Sequence, residues 1–451
     1  MLNERTNSLQ VDVTYRQILK IALPISVSIL IPQINFVTNN IFVGGLGVQP
    51  LAVSGITGVF YLIFAVMGFG LNNGLQALIS RRAGENRLSE IGGLFHQGIL
   101  IALAFALLDI AIVYLIAPII FKATLTNPVD AEMAVNFLYI RIWGLPFLYM
   151  FQIRNSLLVG VNQSRLIVYG TVVETIANIF FDYSFIYGHF GFPKMGFNGA
   201  AVASVISEVI AFLAVYMVIR WKRISAQLNI HTKIKFDPVN AKLVFTQSLP
   251  LILQFIISVG SWEFFYILIE HHGAQDLAIS NIMRNIFGLF GCVTWSFAST
   301  TNMMVSNIIG QDLHHRVMEL IVKIMKMSVG FAIFIFLILN ISPAFFLKVY
   351  GQNDDFINAA IPVVRVVSGA LIIMSMAVVW LNAVTGTGNT RINLMIEIIA
   401  LVLYCIYSFI VLQKLFLPIT WGWGAEWIYW SATLSCSFIY MKKGNWRQKK
   451  I

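Results

Sequence analysis

The sequence predicts an all-α polytopic membrane protein: twelve transmembrane helices in two six-helix lobes with pseudo-two-fold symmetry along the membrane normal. Three observations predict it. Of 451 residues, 58% are hydrophobic and 11% charged, against roughly 25% charged in a soluble domain, and the mean hydropathy is +0.79. Apolar runs of about 20 residues recur from end to end, each long enough to cross a hydrocarbon core. With no water there to bond the backbone, such runs are helices. The chain also matches itself at a fixed offset of 226 residues.

Hydropathy and turn signals place the spans near 17–43, 51–80, 93–121, 131–159, 165–188, 198–221, 243–270, 276–309, 316–348, 356–385, 391–413 and 422–441. The polar N-terminus leads into a full-length span and lacks a signal peptide's short apolar core and small-residue cleavage site. Alternate connections then lie on opposite sides. One side collects Arg5, Arg16 and Lys20, then Arg81, Arg82 and Arg87, then Arg165, then the dense stretch Arg220–Lys242. It also takes Arg316, Lys323, Lys326, Arg391 and the C-terminal lysines; the other side has Lys122, Lys194, Lys348 and Lys414. Basic loops stay cytoplasmic, so both termini are expected inside a multi-pass cell (inner) membrane protein. The net charge of +10 thus suits membrane lipid headgroups and not nucleic acid. Trp421, Trp423, Trp427, Tyr429 and Trp430 read as an interfacial aromatic belt at the outer start of the last span. Cys292, Cys405 and Cys436 fall inside apolar runs, which argues against a disulfide framework or a metal cluster.

The repeat is unbroken in register. Leu23-Pro24 recurs as Leu249-Pro250, Gly47–Ser54 as Gly273–Ser280, Gly84 as Gly310, and Gly160–Arg165 as Gly386–Arg391. Six is an even number of spans, so the halves enter the membrane in the same sense, a parallel repeat. The expected organisation is an N-terminal lobe at 1–221, a basic cytoplasmic linker at 222–242 and a C-terminal lobe at 243–451. Two equal lobes flanking a cleft suit alternating access. No metal-binding His/Glu spacing, phosphate loop or nucleophile elbow is present, so the chain is not expected to be an enzyme, and no cofactor is implied.

Several segments resemble the multidrug and toxic compound extrusion (MATE) transporters over nearly the whole chain. They are LKIALP opening span 1 and NNIFVGGLGVQPLA closing it, GFGLNNGLQALISRRAGE ending span 2, GVNQSR before span 5, NIFFDYSFIYG within it, and GFNGAAVASVIS opening span 6. The resemblance implies antiport, in which a drug-like, often cationic small molecule leaves while protons or sodium ions enter, by a protein expected to be a monomer. The nearest alternative is a lipid-linked oligosaccharide or polysaccharide flippase of the same superfamily, which usually adds spans and lines its cavity with cations.

An ionisable residue within a span costs about 2.5–3.5 kcal/mol on insertion scales and so needs a partner or a task. Glu174, Asn178 and Asp182 follow at steps of four and share one face of span 5. The resemblance implies that Asn178 and Asp182 line a first-lobe cation site able to take a proton or a sodium ion. Asn39, where many members carry an Asp, coordinates but releases no proton, and Glu174 is the residue placed to compensate. Glu263 in span 7 and Arg284 in span 8 lie at matching depths, either as a buried pair or as a second-lobe site. Asp109 and Arg141 read as a structural pair across the turn between spans 3 and 4. Pro24 removes a backbone hydrogen bond from span 1 and permits a kink, and the resemblance implies that this helix bends during transport. Tyr139, Trp143, Met150, Trp295, Met374, Met376 and Trp380 are candidates to line a pocket for flat cations.

Overall fold

The computed structural model describes residues 9–228, 230, 235–348 and 353–449; Arg5, Lys233 and Lys450 of the basic set lie outside them. Among the described residues no strand occurs, and eleven helices are long and apolar enough to cross a membrane. They are α1 (Tyr15–Gly44), α2 (Val48–Gly84), α3 (Leu88–Thr124), α4 (Pro128–Gly160), α5 (Ser164–Tyr187) and α6 (Phe197–Trp221), then α7 (Pro238–Glu270), α8 (Ala274–Gly310), α9 (His314–Ile341), α10 (Asp354–Gly386) and α11 (Thr390–Lys414). The twelfth expected span is α12 (Gly424–Lys443), less apolar because Glu426, Lys442 and Lys443 occupy its end turns. Twelve helices therefore stand where twelve spans were expected. Span 9 ends earlier than the hydropathy suggested. Ser342 leaves the helix and Pro343, which has no N–H to donate, starts a separate short helix, Pro343–Lys348.

Local chemistry sets the ends. Asn127 caps α4 by accepting from the Val129 N–H at 3.1 Å, with Pro128 at the first helical position. Asn353 caps α10 by accepting from the Phe356 N–H at 2.9 Å. Both satisfy N–H groups that a helix start leaves without partners. The repeat is written into the turns. Left-handed backbone occurs at Gly47 and Gly273, Asn86 and Asp312, Asn162 and Gly388, and Phe190 and Phe416, with φ between 48° and 120°. Each pair is separated by the offset read from the sequence.

By contact, the chain forms two compact units, which cut it elsewhere than the lobe boundaries expected above. One holds Val27–Ile252, the other Gln10–Ser26 with Leu253–Ile451. The boundary at 222–242 reflected composition. Packing instead assigns the first part of α7 to the first unit and the first part of α1 to the second. Pro238–Lys242, read as linker, already belongs to α7, and residues 229 and 231–234 of that linker lie outside the described set. Both crossing points sit two residues beyond a proline, Pro24 and Pro250.

Small side chains allow this packing. In the first unit, a Cβ on Gly70 of α2 would lie 2.5 Å from the Ile252 amide nitrogen, and one on Gly74 would lie 2.8 Å from the Ser248 Cα. The Gly-x-x-x-Gly step thus brings α2 and α7 into backbone contact, the close approach that small residues make possible between membrane helices. At the equivalent positions of the second unit, Ser26 and Ser296 hydroxyls meet at 2.6 Å. There the segment before α1 is also tied down: the Val11 N–H donates to Asn307 Oδ1 at 3.1 Å, and Lys323 Nζ donates to the Val13 carbonyl at 3.0 Å. Gly70→Val should destabilise the detergent-solubilised protein by about 1–3 kcal/mol through overpacking. Thermal unfolding measures this, and an unchanged melting temperature would contradict the backbone contact.

Candidate functional site

The first unit gathers a set of ionisable side chains and one amide from four helices. α5 supplies Glu174, Asn178 and Asp182; α4 supplies Arg141, α6 Glu208 and α2 Tyr61. Arg141 donates from Nη1 to Glu208 Oε2 at 2.9 Å and from Nη2 to Oε1 at 2.6 Å, and its guanidinium lies 4.0 Å over the Tyr61 ring. This bidentate geometry is the strongest a carboxylate–guanidinium pair adopts. It corrects the expected partnership: Arg141 pairs with Glu208, whereas Asp109 Oδ2 lies 2.7 Å from the Tyr149 hydroxyl oxygen. Matching depth on adjacent helices had suggested Asp109, but α6 presents Glu208 closer. The 3-10 turn Ile142–Gly144 follows Arg141, and a methyl group at Gly144 would collide with Glu208 Oε2. Glycine there opens the space that the pair occupies.

With Arg141 committed to Glu208, Asp182 is left alone. It is fully buried, and both carboxyl oxygens lack a hydrogen-bond partner. Asn178 is buried one turn away, and its amide reaches Ser204 Oγ at 3.5 Å. Glu174 is half-buried and interacts electrostatically with Glu208 and Arg141; Asp182 also senses Arg141. An isolated charged carboxylate out of water is far more costly than a neutral one. The arrangement is therefore suited to hold a proton, or a small hard cation through carboxylate and amide oxygens. No group of three His, Cys, Asp or Glu is placed to hold a metal ion among the described residues.

The other expected residues fall differently. Asn39 is half-buried and forms no hydrogen bond to Asp182 or Asn178; α1 touches α5 through the Tyr187 hydroxyl, which donates to the Phe42 carbonyl at 2.8 Å. Glu263 lies within the electrostatic reach of Arg284. Tyr139 and Trp143 line an open groove of about 420 Å³ with Tyr114, stacked on Tyr139 at 4.3 Å. Met374 and Trp380 are core residues instead of pocket lining. The aromatic belt also divides: Trp421 is exposed, but Trp423 is wholly buried and donates to Ser280 Oγ at 3.1 Å.

Sequence reasoning missed Glu208 and Tyr61 in the first unit and Glu397 in the second. An acid inside a span is itself the signal, and both glutamates carried it. Glu397 is buried and fully supplied: Ser258, Tyr429 and Gln254 all donate to it, at 2.5, 2.6 and 3.2 Å. The repeat equivalents of Asn39, Glu174, Asn178, Asp182 and Glu208 are Phe265, Ala400, Tyr404, Ser408 and Leu434. The ionisable cluster is thus a property of one copy of the repeat.

A six-helix set repeated along the chain, with a carboxyl group lacking hydrogen-bond partners buried in one copy, is the architecture of a polytopic membrane transporter fold. The MatE family model matches residues 24–184 and again 250–410. The chain belongs to the MatE family, and the two matches restate the 226-residue offset. "Multidrug resistance protein MdtK" of Photorhabdus laumondii is 24% identical over 301 residues, which covers 66% of this chain and 65% of that relative, just under two thirds of its length. The fold is shared with a MOP superfamily transporter from Pyrococcus furiosus, described as having a binding pocket of reverse polarity, at a TM-score of 0.89 and 16% identity over the whole of both chains. It is also shared with a MATE protein in complex with MaL6, at a TM-score of 0.88 and 16% identity over 98% of both.

Removing one partner of the Arg141–Glu208 pair strands a buried charge, which typically costs about 3–5 kcal/mol. Glu208→Leu should therefore lower the unfolding temperature strongly, and adding Arg141→Met should recover much of the loss. A double variant no more stable than Glu208→Leu would argue against the pair.

Proposed function

We propose that the chain is a secondary active exporter, coupling the entry of protons or sodium ions at Asp182 to the release of drug-like organic cations by alternating access. The observation that carries the reading is the Asp182 carboxyl group, buried without a hydrogen-bond partner in a helix that crosses the membrane. Intramembrane acids without partners mark ion pathways and proton relays. Asn178 supplies an amide oxygen one turn away; Glu174 is the second titratable group on the same helix face, and Asn39 is assigned to the site from α1. The multidrug resistance relative and the MatE family support small-molecule efflux. The basic residues on alternate connections support an orientation in the cell membrane with both termini in the cytoplasm. Glu263, distant from the cluster in the chain, is assigned to the second unit, where it complements Arg284.

Transport in proteoliposomes under separate proton and sodium gradients tests the coupling. Asp182→Asn keeps size and polarity but binds no proton, so gradient-driven efflux of an organic cation dye should fall at least about tenfold, the effect of a coupling free energy of 1.4 kcal/mol or more. Efflux equal to wild type would remove Asp182 from the mechanism. Translocation of a lipid-linked headgroup without dye efflux would support a flippase instead.

Pro24 is assigned the pivot of α1. It deprives the preceding turn of a donor, and the chain changes unit directly after it. Pro24→Ala restores that donor and stiffens the helix, so dye export should slow several-fold while the melting temperature is maintained. Export at the wild-type rate would exclude bending at this point from the cycle.

A further inference from the structure

A second buried aspartate lies outside this cluster. Asp109 of α3 is 1% exposed, and so is Tyr149 of α4. The Tyr149 oxygen lies 2.6 Å from the Phe64 carbonyl oxygen of α2 and 2.7 Å from Asp109 Oδ2, while Asp109 Oδ1 has no hydrogen-bond partner. Both distances are those of true O–H···O hydrogen bonds. A phenol has one proton, and a backbone carbonyl has none. If Asp109 were ionised, one of the two contacts would set oxygen lone pairs against each other, and a charged oxygen would stay buried and unsatisfied. One further proton resolves both problems: Tyr149 donates to Phe64, and the protonated carboxyl group of Asp109 donates to Tyr149.

We propose that Asp109 is a second proton-binding site of this protein, holding a resident proton that completes a hydrogen-bonded chain from α3 through Tyr149 on α4 to α2. The ionisable groups facing it are Tyr149 from α4 and, beyond Tyr149, Tyr61 from α2. Among the described residues no cationic side chain acts on Asp109 to stabilise its carboxylate form. Asp182 is equally buried but has no hydrogen-bond partner, whereas the Asp109 proton is tied into the chain through Tyr149 to Phe64 and stays in place during transport. The inference does not depend on the ion assigned to Asp182.

Infrared spectroscopy of the purified protein tests the site. Asp182→Asn is the background, which leaves Asp109 as the one aspartate buried in a span among the described residues. Labelling aspartate with carbon-13 at the side-chain carboxyl should shift a C=O band of a protonated carboxylic acid, and the band should vanish in Asp182→Asn/Asp109→Asn. A label that shifts carboxylate bands alone overturns the proposal, and this arm leaves Asp109 untouched. In the otherwise wild-type chain, Asp109→Asn replaces the donating hydroxyl with a donating amide. It should fold with an unchanged melting temperature and export dye at the wild-type rate, whereas Asp109→Leu should melt well below it. Loss of export in folded Asp109→Asn would show that the proton comes and goes, and would overturn a resident role.

Discussion

Inside hydrocarbon a polar group has only other protein groups to bond, and that constraint governs both the regular and the irregular parts of this molecule. It makes every crossing segment a helix. It also sorts the intramembrane acids by what surrounds them. Glu208 is matched by a guanidinium with two parallel hydrogen bonds, Glu397 by three neutral donors, and Asp109 by a tyrosine hydroxyl that is itself committed elsewhere. Asp182 is matched by nothing. Four carboxyl groups under one constraint reach four different states, and the difference among them is chemistry that hydropathy does not carry.

The fold was legible because its signals are long. Apolar runs, loop charge and the 226-residue register each extend over the whole chain, so an error at one position does not move the conclusion. The helix ends fell within a few residues of the readings, and the departures have local causes such as Pro343. The candidate site was legible only along one helix. Period alone places Glu174, Asn178 and Asp182 on a shared face, but which residues of α2, α4 and α6 turn toward that face depends on rotation and depth of separate helices. The mistaken pairing of Arg141 with Asp109 shows the difficulty, since equal depth on neighbouring helices is satisfied by more than one acid. The division into units was hidden for a related reason: composition marks the connection between helices, whereas packing divides the chain within α1 and α7.

The two copies of the repeat have kept their turns and given up chemical equivalence. Left-handed residues recur at four matched positions because a turn tolerates few backbone conformations. The ionisable cluster recurs at none of its positions; a serine stands where Asp182 would be repeated and a leucine where Glu208 would be. The second copy instead buries Glu397 beneath donors, an arrangement that gives a carboxyl group little reason to change state. One copy thus carries a buried acid without hydrogen-bond partners and the other a buried acid with three.

The exchange of half-helices also bears on how the protein is made. The opening stretch of α1 is made before the surface it packs against, around Ser296 and Asn307, which follows the whole first repeat in the chain. Until then the first part of α1 belongs to a unit that does not yet exist. Assembly of this chain therefore cannot proceed as two independent insertions in sequence: the first unit needs the first part of α7, and the second needs the first part of α1.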